Sequence, residues 1–166
     1  MDDFQRELVA LLPRLRRMAR ALARSGVDPD DLVQLAVERA LAHRDQWRPG
    51  TRLDSWVFTI MKRAWIDEGR AAGRRNRVVT ASTDRAEAVA DPTVASFDTR
   101  MEARSLAAAL EALPDEQRLA VVLVLVEGLS YAEAAAVLEV PVGTLTSRLG
   151  RGRQALVARM NEGERP

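Results

Sequence analysis

Apolar residues recur at helical spacing along most of the chain. From Phe4 to Ala23, Leu8, Leu11, Leu12, Leu15, Ala19 and Leu22 fall on one face, with Pro13 inside the run as a candidate kink and Ser25-Gly26 as its stop. Asp28-Pro29-Asp30-Asp31 then carries the start signals of a second helix: an N-cap carboxylate, a proline in the first turn and acids at the positive end of the dipole. That helix, read to about Arg44, is apolar over most of its circumference, and Asp31, Gln34, Glu38 and Asp45 form one narrow polar line. Such a line is either a plain solvent edge or a protein-docking edge, and spacing alone does not separate the two.

Trp47-Arg48-Pro49-Gly50 reads as a loop, and Thr51-Arg52-Leu53-Asp54 resembles a capping box with Asp in place of Glu. The third helix is expected to run to about Arg70. Leu53, Trp56, Val57, Ile60, Met61 and Ala64 share its inner side, whereas Arg52, Ser55, Thr59, Lys62, Arg63, Ile66 and Arg70 share the outer one. That outer face is basic, small and polar, as suits phosphates and bases, and Ile66 does not fit it. Over residues 71–97 the periodicity dissolves among Gly, Arg, Thr, Ser and Asp. A break of that length divides two domains better than it sits inside one. The expected division is 1–72, a linker at 73–97, and 98–166.

Asp98 to Leu113 is expected to be a short amphipathic helix, with Met101, Leu106, Leu110 and Leu113 on its apolar side. Asp115 to Val126 is too short to span a bilayer and apolar enough to be buried; Gly128 ends it. Ser130, with Glu133 completing the box, opens a helix to Glu139. Val140-Pro141-Val142-Gly143 is read as a turn, and a last helix opens at Gly143 or Thr144, with Leu145, Leu149, Gly152 and Leu156 as its inner seam.

Those last two helices have the layout of a helix-turn-helix. The N-terminal part of the second helix in such a unit enters the major groove and presents side chains to base edges. Thr144, Thr146, Ser147 and Arg151 are the candidate DNA contacts, and Arg148 and Arg153 flank the seam where their heads can reach phosphates. Gly150 and Gly152 each cost about 1 kcal/mol relative to Ala inside a helix. A close approach to DNA or to another helix would account for them; a simple loss of stability is the plain alternative.

Composition narrows the class. Apolar residues make up 47% of the 166 residues but aromatics only 4%, and the apolar share is mostly Ala, Leu and Val, so an all-α fold of two small helical domains with a flexible linker is expected. Net charge is only +1, yet it is unevenly placed. Between Gly143 and Met160 the charged residues are Arg148, Arg151, Arg153 and Arg159, and between Lys62 and Arg77 bases outnumber acids. One basic stripe alone is commonly a solvated helix face; two stripes on capped helices point to polyanion-facing surfaces. The absence of cysteine, of a signal-peptide layout and of a long apolar run favours a cytoplasmic protein without membrane insertion. No catalytic or metal-ligating constellation is visible. His43 stands alone, no phosphate-binding glycine loop occurs, and the clustered carboxylates sit at helix starts where capping explains them. No enzymatic activity, cofactor or small-molecule substrate is therefore expected.

The chain also resembles a known family, the bacterial sigma factors of the extracytoplasmic-function class. The resemblance lies in Asp31-Leu32-Val33-Gln34, Trp47-Arg48-Pro49-Gly50-Thr51, Trp56, Phe58-Thr59-Ile60 and Ile66-Asp67. It continues in Leu113 to Arg118, Glu127-Gly128-Leu129-Ser130-Tyr131 and Val142 to Arg153. It implies a promoter-specificity subunit of RNA polymerase acting in a stress or envelope response under an anti-sigma factor. Asp31, Gln34 and Glu38 would dock on core RNA polymerase. Trp47, Arg52, Thr59, Lys62, Arg63 and Arg70 would open and read the minus-ten element of promoter DNA. Thr144, Thr146, Ser147, Arg148, Arg151 and Arg153 would read the minus-thirty-five element. Arg63 stands where the family often has Asn, and Gly150 where it often has a longer side chain, so both departures bear on base readout. Segments Arg44 to Arg52 and Leu123 to Gly128 look most similar to subgroups common in proteobacteria, general-stress members among them. The rival readings are a sigma-like decoy for an anti-sigma factor and a conventional repressor. A decoy would not need the arginines of the last helix, and a repressor would not explain the upstream domain.

Overall fold

A computed structural model describes residues 1–76 and 97–163, apart from the side chains of Asn76 and Phe97. Most of the expected linker, residues 77–96, therefore lies outside the described residues. The rest forms two helical bundles. The first comprises α1 (Asp3–Ala21), α2 (Pro29–Ala42) and α3 (Leu53–Asn76), with a short 3-10 turn at Arg44–Gln46. The second comprises α4 (Phe97–Glu111), α5 (Asp115–Val121), a π-helical turn (Val122–Val126), α6 (Tyr131–Leu138) and α7 (Val142–Gly163). No strand occurs among the described residues.

Local chemistry starts each helix. Asp2 and Gln5 form a reciprocal capping box on α1, each accepting the other's backbone N–H (2.9 and 3.1 Å). Asp28 caps α2 through the Asp30 N–H at 2.9 Å, with Pro29 in the first turn. Ser130 and Glu133 form the box expected on α6 (3.1 and 2.9 Å). At α3 the expected box is not made. The Thr51 hydroxyl donates to the Arg48 carbonyl at 2.6 Å, closing the loop whose Gly50 has φ +86°, and the helix opens two residues later, at Leu53. The Asp54 carboxylate is left to take the Ser55 N–H and two arginines.

Leu15, Met18, Leu22, Val57, Phe58, Met61 and Trp65 make the sealed centre of the first bundle, and Val121, Val122, Leu123, Leu145 and Leu149 that of the second. The two sets join in a single buried cluster. Burying a Leu- or Phe-sized side chain is worth about 1.5–3 kcal/mol, so these apolar faces dominate the fold's stability.

Other expectations are corrected. α3 continues past Arg70 to Asn76. Arg and Ala propagate a helix without an apolar stripe when solvent surrounds it, so periodicity gave no warning there. Met101 and Leu106, read as the buried side of α4, are 51% and 44% exposed, and Ala109, Leu110 and Leu113 are the side that packs. The apolar run Asp115 to Val126 is not one regular helix. Its last turn widens, with the Glu127 N–H donating to Val122 O at 2.9 Å and the Leu129 N–H to Leu123 O at 3.0 Å. Leu125 consequently faces outward, 50% exposed. Finally, α7 opens at Val142 directly after Pro141, and Glu139 makes the turn with φ +58°. Proline pre-sets a helical φ with no N–H to lose, so Pro141 leads into α7 rather than standing in mid-turn.

Candidate nucleic-acid interface

The two halves carry the candidate residues differently. On α7 the seam is as expected: Leu145, Leu149, Gly152 and Leu156 are buried. Gly152 is required by close helix packing. A Cβ there would lie 2.7 Å from Val121 Cγ2 and 3.2 Å from the Gln117 carbonyl of α5. At Gly150 the same Cβ would meet nothing within 4 Å, so this glycine sits on the open face. Thr146, Ser147, Arg151 and Arg153 are exposed and Thr144 is half-buried. The Thr146 hydroxyl donates to Val142 O at 2.9 Å, which orients its oxygen along the helix start. Arg148 pairs with Glu116 at 3.3 Å, a brace between α5 and α7. Arg151 and Arg153 have no ion-pair partner among the described residues, and they leave the outer face of α7 cationic.

The outer face of α3 is only partly open, with Arg63 and Arg70 exposed and Lys62 enclosed. Lys62, expected to point outward, is 5% exposed. Its ammonium donates to the Val137 carbonyl of α6 at 2.8 Å and lies 3.6 Å from a Glu139 carboxylate oxygen. Burial lowers its pKa below the ordinary lysine value, Glu139 opposes that shift, and the neighbouring Arg63 adds to it. Arg63 pairs with Glu139 and Arg52 with Glu133. Thr59 is half-buried, its hydroxyl donating to Ser55 O at 2.9 Å. Arg70 is exposed beside a shallow hollow lined by Ile66, Gly69, Asp115, Glu116 and Leu119. Ile66 thus has an explanation: its half-buried side chain turns toward α5 and packs against the core.

At the N-terminal end of α3, Asp54 gathers Arg14 (2.7 Å) and Arg52 (2.6 Å). Burial raises its pKa, but the hydrogen bonds from Arg52, Arg14 and the Ser55 N–H outweigh burial and hold the carboxyl at about 2. Half-buried Trp47 packs on the Phe4 ring, centroids 5.5 Å apart, and its buried indole N–H has no hydrogen-bond partner. Trp56 meets the same ring edge-on at 6.2 Å. Asp31, Gln34 and Glu38 are all exposed along α2, with Gln34 donating to Glu38 at 2.9 Å.

Comparison with known proteins gives this arrangement a family. Residues 8–75 match the profile described as Sigma-70 region 2, and residues 103–156 match Sigma-70, region 4. The chain is 36% identical over 157 residues to the ECF RNA polymerase sigma factor EcfG of Rhodopseudomonas palustris (strain TIE-1), covering 95% of this chain and 84% of that one. The chain belongs to the extracytoplasmic-function sigma factors of the sigma-70 family. It is also 39% identical over 145 residues to SigE of Mycolicibacterium smegmatis (strain ATCC 700084 / mc(2)155), covering 86% of this chain and 56% of that relative. Its fold superposes with a TM-score of 0.84 and 30% identity on the sigma factor RpoE of Bartonella quintana, solved in complex with the anti-sigma factor NepR, over 99% and 100% of the two chains. As a sigma factor the protein partners with core RNA polymerase and promoter DNA and sets where transcription starts. No helix among the described residues is long and apolar enough to cross a membrane.

The sigma factor also carries a set of polar residues that periodicity did not single out for function. Glu127, its side chain fully buried, accepts from Arg14 (3.2 Å) and Arg17 (3.0 Å) of α1. Arg118, 2% exposed, donates to Ala21 O (3.0 Å) and Ala23 O (2.6 Å) at the end of α1. Burial pulls its pKa down to about 10, so it is still charged at neutral pH. Arg24 lies 3.9 Å over the Trp65 ring, crosses Gly69 and reaches Asp115 at 3.1 Å. One signal was available: Glu127 is a lone carboxylate ending an apolar run, where a charge must find a partner.

Proposed function

We propose that this sigma factor reads the minus-thirty-five element with α7 and the minus-ten element with α3, docking on polymerase through α2. The observation that carries the reading is the outer face of α7. Arg151 and Arg153 stand exposed there beside Thr146 and Ser147, on a helix held rigidly by the packing of Gly152 on α5. A rigid element with uncommitted cations is what base and phosphate contacts need. Arg52, just before α3, and Thr59, Lys62, Arg63 and Arg70 on it would supply donors along one face once Arg52, Lys62 and Arg63 are released from their partners in the second bundle, and Trp47 offers an aromatic edge for a base. Flipping a base out costs a few kcal/mol, which favours easily melted steps. The exposed line Asp31, Gln34 and Glu38 supplies the docking edge, where acidic side chains suit a basic partner surface.

The role is one of binding and melting and asks for no bond chemistry from the chain. No catalytic group, cofactor or small-molecule substrate enters it, and its place is the cytoplasm, where polymerase and promoters are. Control by an anti-sigma factor is supported by the likeness to the NepR-bound Bartonella protein, and service in a stress response belongs to the same reading. In domain terms, the expected units 1–72 and 98–166 are the two working parts, with α3 carrying the first on to Asn76 and α4 opening the second at Phe97.

Run-off transcription with core polymerase over a promoter library tests this reading. Arg151→Ala is expected to lower transcription from the preferred promoter about tenfold, since losing one base-reading arginine costs about 1–3 kcal/mol. Glu38→Lys is expected to weaken co-purification with core polymerase. Unchanged transcription by Arg151→Ala would remove α7 from the recognition role, and failure of the wild-type chain to bind core would favour the repressor or decoy reading.

A further inference from the structure

The second bundle encloses Lys62 on the α3 face assigned above to the minus-ten element and holds the half-exposed Arg52 and Arg63 in ion pairs, and the ion pairs between the bundles have one polarity. Glu127 takes Arg14 and Arg17, Asp115 takes Arg24, Glu133 takes Arg52, and Glu139 takes Lys62 and Arg63. In each of these pairs the base belongs to the first bundle and the acid to the second. Glu111 continues the pattern, accepting from the Ser25 N–H and hydroxyl at 2.8 and 2.6 Å.

We propose that the acidic rim of the second bundle acts as a nucleic-acid mimic, a built-in competitor that occupies the α3 face and must be displaced before minus-ten DNA can bind. The proposal rests on the assignment of α3 to minus-ten DNA; the closed arrangement of the bundles stands apart from it.

Three features support a device rather than incidental packing. First, Lys62 is enclosed. With its head on the Val137 carbonyl and beside Glu139, no phosphate can reach it while the bundles are together. Second, the competing carboxylate sits at a conformationally costly position. Glu139 is the left-handed C-cap of α6 (φ 58°, ψ 43°), where Gly or Asn is the unstrained choice. A carboxylate kept at such a position holds two cations of the other bundle. Third, the capping is reciprocal. Lys62 of the first bundle satisfies a carbonyl at the end of α6, and Arg118 of the second satisfies two carbonyls at the end of α1. Full enclosure falls on Lys62 alone among the assigned cations, whereas Arg70 on α3 and Arg151 and Arg153 on α7 stay exposed.

The chain has no cysteine, so a Ser25→Cys/Glu111→Cys pair can be labelled without background. In the full chain, this pair is bridged across the bundles with a reducible bifunctional thiol reagent and compared with the same protein capped by a monofunctional one. The bridged chain is expected to lose run-off transcription with core polymerase and to regain it on reduction. If the capped and reduced chains initiate and the bridged chain does so equally well, the mimic is overturned while the sigma-factor reading stands. If none of them initiates at any defined site, the sigma-factor reading itself fails and the proposal falls with it. A second measurement does not depend on bridging. Glu139→Lys is expected to raise affinity for a fluorescent minus-ten single strand about tenfold, the ordinary size of a coupling between two sites. The charge-matched control Glu162→Lys, on an exposed residue of α7, should give a much smaller rise, and equal rises in the two would overturn the proposal.

Discussion

Single side chains separate stability from recognition in this molecule. Gly150 and Gly152 are two residues apart on one helix, and sequence could only mark both as unusual. Space tells them apart. Gly152→Ala would drive a methyl into Val121 and the Gln117 carbonyl and is expected to cost about 1–3 kcal/mol. Gly150→Ala meets nothing and is expected to gain up to about 1 kcal/mol in helix propensity. Urea unfolding of both variants checks the pair. If instead Gly150→Ala stabilises the fold yet depresses promoter-dependent transcription, DNA is what comes close to residue 150. Asp54 gives a pH signature. Its folded pKa is about 2 against an ordinary 3.8, so the folded state holds its proton less tightly than the unfolded chain. The stability it contributes is complete above 3.8 and fades as pH falls toward about 2. The stability gap between wild type and Asp54→Asn should therefore be widest at neutral pH and close as pH falls toward about 2.

At the scale of elements, the reading from sequence succeeded where a helix is announced by its own ends. Asp28-Pro29 and Ser130 with Glu133 stand where caps were expected, because a cap is a local contact between residues three apart or fewer. Ser130→Ala should cost about 0.5–2 kcal/mol by thermal or urea unfolding, the usual loss for an N-cap, and a smaller effect would mean that packing alone holds α6. The reading failed where geometry depends on something distant. The widened turn at Val122–Val126 looks like ordinary apolar helix in sequence, yet it precedes a glutamate directed at two arginines more than a hundred positions away. Thr51 had the residue type of a cap but spends its hydroxyl on the loop. The candidate residues follow the same rule. Those of α7 lie where amphipathicity put them. Lys62 does not, because whether a basic helix face meets solvent depends on what packs over it, and one helix's periodicity carries no information about that.

For the whole molecule, the interface between bundles is electrostatic at its rim and closed by buried charge at its centre. Removing one partner of a buried ion pair typically costs about 3–5 kcal/mol when the other charge stays buried. Here Arg14 and Arg17 are only partly enclosed, whereas Glu127 is sealed. Glu127→Ala should thus loosen the bundles more than it unfolds either. Small-angle scattering is expected to show a larger radius of gyration at unchanged helicity; a loss of helicity would mean that Glu127 stabilises its own bundle instead. One chain would place two DNA-reading surfaces on a promoter through polymerase. Chemical footprinting of the reconstituted holoenzyme on its preferred promoter tests that directly. Backbone protection around minus thirty-five that is lost in Arg151→Ala is expected, together with permanganate-reactive, unpaired thymines at minus ten. Polymerase that is neither protected upstream nor open at a defined site would contradict it.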